Sequence, residues 1–125
     1  MKTLILLLFI SFSFVACSQK SSSSFQNVDN QKFAELMKES NIVIIDVRTP
    51  EEYKEGHIPH SMLINFYDKN FSQNLDTLNK SKTYLVYCAA GGRSSKASTQ
   101  LSGKGFKNVY NLEHGFSQWD GDVAK

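Results

Sequence analysis

The sequence predicts an α/β fold, a single domain built on a five-stranded parallel sheet with helices on both faces. Short apolar runs alternate with segments of helical spacing from Phe25 onward. Strands joined by helical crossovers lie parallel. The second run, Ile42-Val43-Ile44-Ile45, is continuous and β-branched, as suits a strand covered on both faces. A chain of 125 residues has room for one core of ordinary size.

The elements follow in order. Phe25 to Val28 forms a brief first strand. Asp29 or Asn30 caps a helix in which Phe33, Leu36 and Met37 fall at helical spacing. The Ile42–Ile45 run is the second strand. Thr49 then caps a helix with Pro50 at its first position and Glu51 and Glu52 in its first turn, where carboxylates suit the positive end of the helix dipole. Met62-Leu63-Ile64 is the third strand, and Phe71 to Leu78 a weakly patterned helix. Tyr84-Leu85-Val86-Tyr87 is the fourth strand and runs directly into Cys88. Ser94 to Ser102 is a helix with Ala97 and Leu101 on one face, stopped by Gly103 and Gly105. Val109 to Leu112 is the fifth strand, and Phe116 to Trp119 a closing helical turn.

Residues 1–16 are set aside from the fold. One lysine precedes an uncharged apolar run from Leu4 to Val15, well short of the ~20 residues of a spanning helix, which is the pattern of a cleaved signal peptide. The run ends in Phe14-Val15-Ala16-Cys17, which resembles the lipobox of bacterial lipoproteins, with Phe14 where leucine is usual. That resemblance implies cleavage before Cys17, lipidation of Cys17, export across the bacterial inner membrane, and anchoring in the cell envelope, on the periplasmic side or in the outer membrane. More than one acyl chain gives stable anchoring. Residues 17–24, with Ser21 to Ser24 in a row, are then the lipidated cysteine and a flexible tether. The domain proper is 25–125. A net charge of +2 gives no electrostatic reason for a nucleic-acid partner.

The chain has two cysteines, and lipidation of Cys17 leaves Cys88 a lone thiol in an exported protein, where an unpaired cysteine is either buried or used. Its context favours use. Cys88-Ala89-Ala90-Gly91-Gly92-Arg93-Ser94 lies between a buried strand and a helix. Small residues and two glycines let the backbone curl and turn its N–H groups inward, forming an anion nest completed by the helix N-terminus. Arg93 adds planar donors, and a cysteine at the base of such a nest has its thiol pKa lowered.

This loop resembles that of the rhodanese family, in which four residues separate the cysteine from the arginine, as between Cys88 and Arg93. Asp46-Val47-Arg48 is similar to the family's acidic-x-arginine segment. Glu51-Glu52-Tyr53, then Gly56-His57-Ile58-Pro59, and Gly105-Phe106 through Leu112 with Gly115 and Trp119 resemble its other motifs. The likeness covers roughly residues 25 to 120. His60 stands where the family usually has glycine, and His114 replaces the first glycine of a usual pair.

The resemblance implies a sulfurtransferase that moves sulfane sulfur from thiosulfate or a persulfide to a thiol or cyanide acceptor through a Cys88 persulfide. Ala89, Ala90, Gly91, Gly92, Arg93 and Ser94 would bind the transferred sulfur, while Asp46 and Arg48 would brace the site. It implies no metal and no organic cofactor, and His57, His60 and His114 lack a paired-ligand spacing. A monomer is the default assembly. Two rivals remain: a non-catalytic binding or persulfide-carrier module, and a rhodanese-fold phosphatase or arsenate reductase. The latter have five residues between cysteine and arginine, and this chain has four.

Overall fold

The computed structural model describes residues 24–125. The expected leader, Cys17 and most of the tether lie outside them. The order is β1 (Gln26–Val28), α1 (Asn30–Leu36), β2 (Ile42–Asp46), α2 (Pro50–Glu55), β3 (Met62–Leu63), α3 (Phe71–Asp76), β4 (Thr83–Tyr87), α4 (Gly92–Gly103) and β5 (Val109–Leu112), closed by a 3₁₀ turn, Phe116–Gln118. The sheet order is β1-β5-β4-β2-β3, and every pairing is parallel.

The side-chain period of two splits the strands between two cores. On one face Ile45, Val47, Tyr84 and Val86 pack against Phe71 and Leu75 of α3, Ala97 and Leu101 of α4, and Phe106. On the other, Ile44, Leu85, Tyr87 and Leu112 pack against Phe33 and Leu36 of α1, with Phe116 and Trp119 beside them. Helices therefore cover both faces, as expected. Cys88 continues the alternation of Tyr84 and Val86, so its side chain belongs to the α3/α4 face.

Local chemistry places the ends. The Asp29 carboxylate accepts from the Lys32 N–H at 2.8 Å and starts α1. Thr49 and Glu52 form a reciprocal capping box around Pro50. Helix α4 starts at Gly92, two residues earlier than its spacing predicts. Gly91 takes φ +101° as N-cap, a conformation glycine reaches without a Cβ penalty, and the turn closes sooner.

The family's usual glycine at His60 also has a physical basis. His60 sits at φ +67°, a left-handed conformation that costs a non-glycine residue roughly 1–2 kcal/mol. His57 stacks on Tyr53 with ring centroids 3.7 Å apart, and its backbone bridges to Ala124 near the C-terminus. It thus has a role in the architecture of this turn.

Candidate active site

The loops after β2, β4 and β5 meet at the carboxyl end of the sheet, where ligand sites of open α/β sheets form. β4 lies at the centre of the strand order and delivers Cys88 to this crevice. The Cys88 side chain is almost fully covered, at 1% exposure, and its thiol is free.

Two donors converge on the sulfur. The Gly91 N–H donates to Sγ at 3.1 Å, and Ser94 Oγ lies 3.3 Å from it. Gly91 has no side-chain cap to offer α4, so the sulfur itself occupies the acceptor position at the positive end of a 12-residue helix. Ser94 Oγ also lies 3.2 Å from the Gly91 carbonyl oxygen. A hydroxyl has one proton, and ionising the thiol draws that proton toward sulfur.

Burial pushes the Cys88 pKa up, but the Ser94 hydroxyl and the N–H groups of Ser94, Ala90 and Gly91 pull it down further, and the net direction is downward. A donor that stabilises the thiolate raises the thiolate fraction at a given pH. Replacing Ser94 by alanine removes one such donor, so the thiol pKa rises. The pH profile of Cys88 alkylation by iodoacetamide then moves to higher pH, and the rate near neutrality falls. A profile that is unmoved, or moves to lower pH, rules out this role for Ser94.

The loop holds its shape because neighbouring backbone presses against it. The Phe116 N–H donates to the Cys88 carbonyl at 2.8 Å, and the Ser117 N–H to that of Ala89 at 2.9 Å. Gly115, at φ +70°, runs so close beneath that a Cβ there would lie 2.6 Å from the Ala90 nitrogen. A Cβ on Gly91 would collide with the Glu113 carbonyl. Gly92 has open space around it. Of the two loop glycines, Gly91 is the one the geometry demands.

Asp46 and Arg48 pair with each other beside the site. Both are buried, and Arg48 Nε and Nη2 reach the Asp46 carboxylate at 2.7–3.1 Å. Arg48 Nη2 also donates to the Gly56 carbonyl at 2.7 Å, and the guanidinium lies 4.2 Å from the centre of the Phe116 ring. The pair thus ties the β2 loop to the end of α2 and to the 3₁₀ turn that grips Cys88.

Arg93 is placed differently from the simple expectation of a charge offered to the nest. Its Nη1 and Nη2 each donate to the Glu52 carboxylate at 2.9 Å. Glu52 Oε2 is held in addition by the Thr49 N–H at 2.8 Å and hydroxyl at 3.0 Å. The hydrogen bonds from Arg93 bring the Glu52 pKa down to about 2, so the carboxylate stays charged at any working pH. Glu52 in turn raises the Arg93 pKa, as does the nearby Cys88 charge. Tyr67 lies over the guanidinium at 5.5 Å.

Glu52 and Tyr67 are site residues that sequence reasoning did not single out. The capping box was a readable signal for Glu52, since Thr49 and Glu52 stand three apart. Its second partner, 41 positions along the chain, has no sequence signal at all. His114 is exposed, and among the described residues its Nε2 meets the Glu113 carboxylate at 3.9 Å.

Comparison with known proteins agrees with this fold. The family described as Rhodanese-like domain matches residues 29–122. The chain is 34% identical over 96 residues to thiosulfate sulfurtransferase GlpE of Coxiella burnetii, covering 76% of this chain and 87% of that protein. It is 33% identical over 102 residues to tRNA uridine(34) hydroxylase of Pelagibacter ubique, covering 79% of this chain and 33% of that longer protein. A crystal structure of a rhodanese-like domain protein from Staphylococcus aureus superimposes with a TM-score of 0.69 at 30% identity, over 80% of this chain and 97% of that one.

Proposed function

The chain belongs to the rhodanese-like family, and on that basis we propose that it is a sulfurtransferase working through a persulfide on Cys88. The carrying observation is the sulfur of Cys88 at the N-terminus of α4, held by the Gly91 N–H and the Ser94 hydroxyl. The thiolate attacks the outer sulfur of thiosulfate or of a persulfide. A Cys88 S–S bond forms as the donor's S–S bond breaks, and sulfite or a thiolate leaves with the electron pair. Cyanide or a thiol then attacks the terminal sulfur, leaving as thiocyanate or as a persulfide and restoring the Cys88 thiolate. The same N–H groups that stabilise the thiolate stabilise the terminal sulfur anion, by the logic of an oxyanion hole. The sequence similarity to a protein named thiosulfate sulfurtransferase supports this class of reaction.

The test is direct. Reduced protein mixed with thiosulfate or cysteine persulfide gains one sulfur atom by intact mass, and cyanide removes it. Failure to load from either donor moves the function to a binding module.

The proposal extends to location. Ala16-Cys17 at the end of the apolar run supports a lipid-anchored protein of the bacterial cell envelope, tethered through residues 17–24. Expressed in a bacterium grown with labelled palmitate, the chain takes up the label and Cys17→Ser does not. Absence of label from the wild-type chain removes the anchor.

A further inference from the structure

We infer that the site favours donors that carry a single negative charge, organic persulfides over dianionic thiosulfate, and that Glu52 sets this preference. The inference rests on the persulfide chemistry proposed for Cys88 and narrows its donor.

The argument starts from where the positive charge goes. Both terminal nitrogens of Arg93 are spent on Glu52, in the planar two-point geometry that suits a carboxylate. Glu52 is itself pinned by Thr49, so the pair is fixed in place and not free to open at little cost. The other guanidinium near the site, that of Arg48 against Phe116, is taken up by Asp46. Both arginines at the site are therefore already neutralised by a carboxylate.

A charge count then separates the donors. With Cys88 ionised, the thiolate, Glu52 and Arg93 sum to one negative charge before any donor arrives. Transfer from thiosulfate, Cys–S⁻ + S–SO₃²⁻ → Cys–S–S⁻ + SO₃²⁻, gathers three negative charges between the reactants. Transfer from an ionised organic persulfide, Cys–S⁻ + R–S–S⁻ + H⁺ → Cys–S–S⁻ + R–SH, gathers two. Backbone N–H groups carry only partial charge, and the first reaction meets the greater repulsion.

Tyr67 adds an independent observation. Among the described residues it is one of the few large hydrophobic side chains left exposed, at 67%, and it lies over Arg93, edge-on to Phe66. An aromatic rim offers contact to the carbon group of an organic persulfide, which thiosulfate lacks.

The variant that isolates the charge is Glu52→Gln. Glutamine serves at the third position of a capping box as glutamate does, so the start of α2 survives while the negative charge goes. Sulfur loading is followed by intact mass with thiosulfate and with cysteine persulfide. The wild type shows the higher kcat/KM with cysteine persulfide. Glu52→Gln raises kcat/KM for thiosulfate relative to persulfide by about fivefold or more, the size expected for one unit charge several ångströms away near a protein surface. Glu52→Asp keeps the charge and the wild-type ratio.

A measurement on the wild type guards against a folding defect in the variant. Rising ionic strength screens like charges, so it accelerates loading from thiosulfate more than loading from persulfide, which stays within about twofold. An unchanged donor ratio in folded Glu52→Gln, or thiosulfate loading indifferent to salt, overturns the inference and leaves the sulfurtransferase reading intact. Loading from neither donor overturns that reading itself.

Discussion

Cys88→Ser loses sulfur loading by at least ~10³-fold, the scale on which removal of a working nucleophile acts, while keeping its fold. Serine fits the space because the side chain differs by one atom, and its hydroxyl still meets the Gly91 N–H and Ser94 Oγ that now hold the sulfur. Chemistry fails for two reasons. A serine hydroxyl does not ionise near neutral pH, and an alkoxide at that position would form no stable S–S link. Intact mass after thiosulfate or persulfide treatment checks the first half, and circular dichroism with a thermal midpoint checks the second. A sulfur adduct of wild-type yield on Cys88→Ser would place the acceptor elsewhere and sink the proposed mechanism.

Asp46→Ala has the largest expected effect on stability. Asp46 is fully buried and accepts from the backbone and side chain of Arg48 at once. Removing it strands a guanidinium between Phe116 and Tyr87, and an uncompensated buried charge costs about 3–5 kcal/mol. The double variant Asp46→Leu with Arg48→Met removes both charges and recovers most of the loss, since a buried ion pair has little net advantage over apolar packing. Denaturant midpoints for Asp46→Leu, Arg48→Met and the double variant make a thermodynamic cycle. If Asp46→Ala is as stable as the wild type, the brace is not structural.

Much of this molecule is legible residue by residue. The strands at Ile42 and Tyr84 could be read because burial on both faces demands continuous apolar runs. Thr49-Pro50 announced α2 because capping is a contact between near neighbours. The loop from Cys88 to Ser94 could be read because its glycines and its position before a helix are local facts. The ends of elements were less legible. Helix α4 begins at Gly92 because Gly91 adopts a left-handed conformation, at a point where the Glu113 carbonyl leaves no room for a Cβ.

The strand order and the charge state of the site belong to the tertiary structure. Parallel strands joined by crossovers leave open which strand lies at the centre, and only the assembled sheet puts β4 there between β2 and β5. Sequence alone determined that a cysteine stands at a strand's end beside a loop able to gather N–H groups, since these are properties of adjacent residues. It could not determine that Arg93 faces Glu52. That pairing joins α2 to α4, elements linked in the chain only through β3, α3 and β4, and a contact across such a distance exists only once the sheet has brought the two helix starts together.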